Sequence, residues 1–198
     1  MTKRQRITAA ARELFGVQSY EKTTIEEIAR AVPMSKATLY TEFKNKEEIL
    51  LEICCNHIDE MNTRLSAIVE ATESDCLNTL KEMLLKMVEG IYSVTASLRS
   101  PEALIFQSAR LQVLLIDHTK KMPEIIRSLF EKAKVKGEID KQVDTSAMTS
   151  VVLSALTSYL PPYPRHFTNP SRPSLDALRQ DLSLLLDLLC EGLRHHHV

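Results

Sequence analysis

The stretch that decides the fold runs from Thr24 to Lys46 and reads TIEEIARAVPMSKATLYTEFKNK. It opens with a capping box, in which the Thr24 side chain accepts a backbone N–H and Glu27 reaches back to the Thr24 backbone. A short helix follows, with Ile25, Ile28 and Ala29 turned inward. Val32, Pro33 and Met34 interrupt it, because proline has no N–H for a helix interior. Ser35 then caps a second short helix that runs to about Thr41. Two short helices joined by a three-residue break describe a helix-turn-helix. The second helix of such a pair has to enter a major groove about 12 Å wide, so its outer face needs short or flexible polar side chains. Ser35, Lys36, Ala37, Thr38 and Tyr40 suit that face, and Leu39 points to the core.

Helical periodicity extends outward from this stretch in both directions. Upstream, Ile7, Ala10, Ala11, Leu14 and Phe15 form one apolar stripe over residues 3–17. Downstream, Asn45 and Glu48 mark the start of a long helix with Leu50, Ile53, Cys54, Ile58, Met61, Leu65 and Ile68 on one face. Further stripes follow at Leu77–Val94, at Leu104–Leu115 after Pro101, and at Ile126–Ala133 between Pro123 and Gly137. Asp144 caps a helix to about Tyr159. A proline-rich loop from Pro161 to Pro173 leads to Ser174, which caps the last helix. Its stripe is Leu175, Leu178, Leu182, Leu185, Leu189 and Leu193, and extra leucines at 184, 186 and 188 imply burial on more than one side. The fold class is all-α with about nine helices.

Composition agrees with this reading. The 198 residues are 44% hydrophobic and 26% charged, with 5% aromatics, no Trp and 4 Gly. Such a balance favours helix over sheet. The net charge is −1, yet residues 1–50 hold nine Lys and Arg against seven acids, and the other 148 hold sixteen against nineteen. A mildly basic end on an acidic remainder fits phosphate contact by one end. Cys54, Cys55, Cys76 and Cys190 lie in helical stripes without a CxxC spacing and are expected to be reduced thiols of a cytoplasmic protein. No long apolar run follows the charged N-terminus, so neither a signal peptide nor a membrane span is expected. The final His195, His196 and His197 receive no function.

At this point the chain resembles the TetR family of transcriptional regulators. The resemblance rests on Ala10-Ala11, Leu14-Phe15, Thr23-Thr24-Ile25, Ile28-Ala29, Ser35 to Tyr40, Phe43, Lys46-Glu47 and Leu50, and covers about residues 5–51. Beyond it the match lies in helix count and in the Gly137-Glu138-Ile139 turn followed by Asp144. The resemblance implies residues 1–46 as a DNA-binding domain and residues 47–198 as a helical effector-binding and dimerisation domain. It implies a homodimer through the helices at about 144–160 and 174–194, and a double-stranded DNA operator of near-palindromic sequence. It further implies a repressor released by a small-molecule effector, with no cofactor and no membrane partner. Residue by residue, Thr24 would meet a phosphate. Ser35, Lys36, Ala37 and Thr38 would sit in the groove, with Lys36 and Thr38 at the bases. Tyr40 would hydrogen-bond a phosphate, and Lys46 would stand at a helix N-terminus suited to an anion. Lys3, Arg4 and Arg6 would form a disordered arm along the DNA. Two positions depart from the family pattern: Pro33 replaces the usual glycine of the turn, and Ser19 replaces the glycine before the Thr pair, the second being the milder change.

Other readings stay open beside this one. Met61, Met83, Met87, Ile91, Phe106, Gln107, Arg110, Leu114 and Phe130 either line an effector cavity, with Gln107 and Arg110 as polar anchors, or are ordinary core. Cys54, Cys55 and His57 suggest a thiol or metal sensor, but zinc normally needs four ligands and no second pair is evident, so metal ligands are not assigned. Asp117 and His118 read as surface residues at a helix end. No Gly-rich phosphate loop, HExxH or GxSxG is present, so no catalytic residue is assigned and an enzyme is not expected. A protein-binding scaffold of the same fold, acting without a small ligand, is the remaining alternative.

Overall fold

The computed structural model describes residues 1–97, 116–160 and 173–194. Among these, eight α-helices and one 3-10 turn occur and there is no strand. The helices are α1 (Lys3–Gln18), α2 (Ile25–Ala31), α3 (Lys36–Glu42), α4 (Lys46–Ala71), α5 (Cys76–Ser97), α6 (Lys121–Lys136), α7 (Thr145–Leu156) and α8 (Leu175–Arg194), with the 3-10 turn at Thr157–Tyr159. The expected helix from Leu104 to Leu115, with Phe106, Gln107, Arg110 and Leu114, lies outside the described residues, and positions 116–119 that follow are helical. The chain divides into two compact units, Met1–Glu60 with Ser93–His118 and Met61–Tyr92 with Thr119–Val198.

The first unit is built on the apolar stripe of α1. Ile7, Ala11 and Phe15 are completely buried against Ile28 of α2, Leu39 of α3 and Ile49 of α4, with Phe43 and Leu50 beside them. The ring of Phe15 meets Tyr20 edge to face at 5.2 Å. This small cluster stabilises α2 and α3, which at 7 residues each are too brief to be stable helices alone. Within the same unit, Nδ1 of His118 lies 2.9 Å from both carboxylate oxygens of Asp59. Asp117 is exposed and His118 partly so near the end of a helical run, as expected, and the His118 ring is held by an acid that sequence separation had hidden.

The second unit packs α5, α6 and α8 around Leu77, Met83, Leu84, Ile126, Phe130 and Leu182. Its helix ends are held by specific caps. Gly137 terminates α6 at φ 74°, a left-handed conformation that glycine adopts without strain. Two residues of that turn serve the fold: Ile139 is buried, and the Glu138 carboxylate accepts N–H groups from Cys76 (2.8 Å) and Leu77 (3.1 Å) at the start of α5. Lys132 donates from Nζ to the carbonyls of Val69 (2.6 Å), Thr72 (3.1 Å) and Glu70 (3.2 Å) around the end of α4. Asp144 caps α7 and Ser174 caps α8, as expected.

Two local expectations change. Pro123 is the third residue of α6, which starts at Lys121, and the missing proline N–H is tolerated throughout the first turn. On α8 the buried stripe is Leu178, Leu182, Leu186, Cys190 and Leu193. Leu185 and Leu189 are half-buried at its side, while Leu184 and Leu188 are 63% and 62% exposed.

Candidate nucleic-acid interface

The interface begins with how α3 is held. Thr24 and Glu27 form the expected box: the Thr24 hydroxyl accepts the Glu27 N–H at 3.2 Å, and the Glu27 carboxylate accepts the Thr24 N–H at 2.8 Å. Those bonds to backbone and hydroxyl hold the Glu27 carboxyl below its ordinary range. The turn after α2 is closed by N–H bonds from Val32 to Ile28 O and from Met34 to Ala29 O, each 3.2 Å. Pro33 stands between them, exposed, where no N–H is called upon. Ser35 caps α3, its hydroxyl accepting the Thr38 N–H at 3.0 Å and lying 2.8 Å from the Thr38 hydroxyl.

On α3 the outward and inward residues separate as read. Leu39 is 0% exposed, whereas Tyr40 shows 45% of its surface. Ser35, Lys36 and Ala37 are exposed and Thr38 is half-buried. Lys36 ion-pairs with Glu26 of α2 and lies 5.8 Å from the centre of the Tyr40 ring. The hydrogen bond to Glu26 raises the Lys36 pKa and lowers that of Glu26.

The basic residues around the helix pair differ in what they touch, and Arg30 donates along its own helix to Glu26 O at 3.4 Å. Lys3, Arg12, Lys22, Arg30, Lys36 and Lys44 are exposed. Arg4 and Lys46, half-buried, and Arg6, exposed, reach carbonyl groups of other segments. Arg4 donates to the carbonyl of Glu42 at the end of α3, pairs with Glu52 at 2.9 Å, and lies 3.9 Å from the Phe43 ring centre. The Glu52 bond raises its pKa. Arg6 donates to Val32 O at 3.1 Å. Lys46 donates from Nζ to Tyr20 O (2.6 Å), Thr23 O (2.8 Å) and Glu21 O (3.4 Å), 4.3 Å from the Tyr20 ring centre. Burial lowers its pKa.

The expected disordered arm is therefore corrected. Helix α1 starts at Lys3, because Thr2 and Gln5 form a second capping box: the Thr2 hydroxyl accepts the Gln5 N–H and the Gln5 side chain accepts the Thr2 N–H. The spacing of Thr2 and Gln5 carried that signal in the sequence. The relative severity of the two departures is also reversed. Pro33 needs no unusual backbone angle, while Ser19 adopts φ 78° and ψ 154°, a region that side chains other than glycine avoid. Ser19 is held there by Thr23, whose N–H (3.2 Å) and hydroxyl (2.8 Å) both donate to the Ser19 carbonyl.

The candidate sensor groups are placed as follows. Met87 and Phe130 are buried in the core of the second unit, and Met61 and Ile91 pack against it half-buried. Burial pushes the Cys54 thiol up to about 12 and the Cys55 thiol up to about 11. Thiols so raised are protonated near neutrality and poorly nucleophilic. Among the described residues no three His, Cys, Asp or Glu side chains are grouped as metal ligands, and no helix is long and apolar enough to cross a membrane.

Comparison with known proteins converges on the same segment. Residues 7–53 match the model of bacterial regulatory proteins of the tetR family. The HTH-type transcriptional regulator UidR of Escherichia coli is 26% identical over 161 residues, 78% of this chain and 77% of that one. The uncharacterized HTH-type transcriptional regulator YvkB of Bacillus subtilis is 27% identical over 139 residues, 68% of this chain and 67% of that one. A crystal structure of a TetR/AcrR-family regulator from Thermobifida fusca superposes with a TM-score of 0.69 at 24% identity, covering 93% of this chain and 96% of its own. With the capped helix pair inside the matched segment, residues 7–53 carry the helix-turn-helix of bacterial regulatory proteins of the tetR family, and the helical fold is shared with a TetR/AcrR-family structure well beyond that segment.

Proposed function

We propose that the protein is a dimeric cytoplasmic repressor that binds a near-palindromic operator and is released from it by a small-molecule effector, without catalysing a reaction. In this reading residues 1–46 bind DNA and residues 47–198 bind the effector and pair the subunits. The observation that carries it is the division of α3, with Leu39 fully buried while Lys36 and Tyr40 stand exposed. That is the arrangement a recognition helix needs to rest on a core and present polar groups to a groove. Thr24, Ser35, Ala37 and Thr38 complete the DNA-facing set, with Lys3 at the start of α1. Arg4 and Lys46 belong to the site as residues bonded to its backbone.

Pairing is supported by the leucines left outside the core of the second unit. Leu184 and Leu188 of α8 and Val151 of α7 are exposed apolar side chains on the two helices assigned to the dimer. Two copies of one patch make a self-complementary interface, so the two recognition helices obey the same two-fold axis as the operator. Met61, Met87, Ile91, Phe106, Gln107, Arg110, Leu114 and Phe130 are the proposed effector contacts. The effector acts by binding one conformational state better than the other, since equal affinity would shift nothing.

The scaffold reading has one observation in its favour: Met87 and Phe130 are 4% and 1% exposed within a packed core. The thiol-sensor reading is opposed by the raised pKa of Cys54 and Cys55. Selection of duplexes from random sequence by the purified protein tests the proposal, followed by a screen for compounds that release the bound duplex. A palindrome with a releasing compound supports it. A palindrome that only a protein partner releases supports the scaffold.

A further inference from the structure

Arg4, Arg6 and Lys46, among the nine basic residues in the first fifty, each donate to carbonyl oxygens at the ends of the helices around the helix-turn-helix, Lys46 and Arg4 half-buried and Arg6 exposed. Lys46 is the most complete case. An ammonium group has three N–H donors, and the Lys46 Nζ has three carbonyls within 2.6 to 3.4 Å at the corner between α1 and α2. The same corner holds Ser19 in its strained conformation and presents Thr23 and Thr24, from which α2 starts. Arg6 reaches the end of α2 at Val32 O, and Arg4 reaches the end of α3 at Glu42 O. The two arginines sit at helix C-termini, where carbonyls lack a partner within the helix and the dipole is negative, and Lys46 sits on the carbonyls of the turn that joins α1 to α2. Lys132 does the same around the end of α4, in the unit to which no DNA contact is assigned. The device is therefore a way this chain closes helix ends.

We propose that Lys46, Arg4 and Arg6 are positioning residues that brace the DNA-reading helices through the carbonyls at their ends, and that the phosphate-neutralising charge comes from Lys3, Arg12, Lys22, Arg30, Lys36 and Lys44. The proposal rests on the DNA-binding reading for its consequence, though the brace itself does not. A lysine that neutralises a phosphate releases a counterion, so its loss lowers the slope of log affinity against log salt by about one per contact. A brace acts through geometry, so its loss weakens binding while leaving that slope in place.

The test uses the full-length protein, Lys46→Met, Lys46→Arg, Arg4→Met, Arg6→Met and, for comparison, Lys36→Met. Each is titrated with the selected duplex across salt concentrations. The expected result for Lys46→Met is affinity lower by about ten-fold with an unchanged salt slope. Lys46→Arg keeps the charge but does not restore affinity, because a planar guanidinium does not converge on three carbonyls as an ammonium does. Arg4→Met and Arg6→Met also keep the slope, and Lys36→Met lowers it. In the absence of DNA, amide hydrogen exchange at Thr23 and Thr24 speeds up in Lys46→Met. If that variant does not fold, Lys46→Arg is scored by the same exchange measurement. A slope reduced in Lys46→Met as in Lys36→Met, full rescue by Lys46→Arg, or unchanged exchange at Thr23 and Thr24 overturns the brace. A reduced slope in Arg4→Met or Arg6→Met removes that residue from it. If the unaltered protein selects no duplex, the DNA-binding reading fails and exchange alone decides the brace.

Discussion

Lys36, the cation at the start of the proposed recognition helix, is ion-paired within the protein to Glu26 of the preceding helix. Both side chains are about half exposed, at 52% and 49%, so the pair is screened by solvent and readily exchanged for another partner. The Lys36 ammonium must leave or share this carboxylate to meet a base or a phosphate. Glu26 therefore competes with DNA for Lys36. The variant Glu26→Gln is expected to bind the selected duplex more tightly at low salt, with the gain fading as salt rises. Fluorescence titration of both proteins at two salt concentrations checks this, and equal affinity at low salt would remove Glu26 from the interface.

The Ser19 backbone predicts an improvement in stability. A non-glycine residue in its conformation stores about 1–3 kcal/mol, and glycine gives back part of that through the entropy of the unfolded chain. Ser19→Gly should stabilise the first unit by about 1 kcal/mol. Thermal or urea unfolding measures it, and a loss of stability would mean that the Ser19 side chain makes a contribution larger than the strain.

The capping box predicts both a stability cost and a pH dependence. Thr24→Ala removes the hydroxyl that accepts the Glu27 N–H and should cost about 1 kcal/mol. The Glu27 carboxyl is held below its ordinary value of 4.5 by its bonds to Thr24, and Glu26 is lowered by Lys36. Both groups have folded pKa values beneath their unfolded ones. Their contribution is thus complete above the unfolded value and is lost as pH falls through the folded one. Unfolding curves between pH 6 and pH 3 should show stability dropping in acid, with a smaller drop in Glu27→Gln.

Much of this local architecture was legible because its signals are local. Thr24 with Glu27, Ser35, Gly137, Asp144 and Ser174 each act within a few residues, and each occupies the expected cap. The Leu39 and Tyr40 division followed from helical periodicity. What was not legible depends on contacts distant in sequence. Lys46 finds its acceptors more than twenty residues upstream, and His118 finds Asp59 across 59 positions. On α8, leucines occupy neighbouring stripes offset by one residue. The sequence could not choose Leu186 over Leu185 as the buried member, because the choice is made by the helices packed against it. The strain at Ser19 is set by the two bonds Thr23 gives its carbonyl, which no residue type announces.

The cysteines predict slow chemistry. With thiols at about 12 and about 11, Cys54 and Cys55 should resist alkylation by iodoacetamide at pH 8 and react fully after unfolding. Mass spectrometry of the labelled protein reads this directly. Rapid native labelling at Cys54 or Cys55 would revive the sensor reading.

The exposed leucines of α8 predict the assembly state. Leu184→Glu with Leu188→Glu should convert a dimer to a monomer in light scattering while leaving the helix content unchanged. A dimer that survives both substitutions would place the interface elsewhere.

The most direct test of the central claim is selection of DNA from a random pool by the purified full-length protein, repeated with Lys36→Ala and Tyr40→Phe. The account predicts a near-palindrome with half-sites one helical turn, about 34–36 Å, or a multiple of it apart, bound more weakly by both variants. Recovery of no palindrome, or equal binding by the two variants, would contradict it.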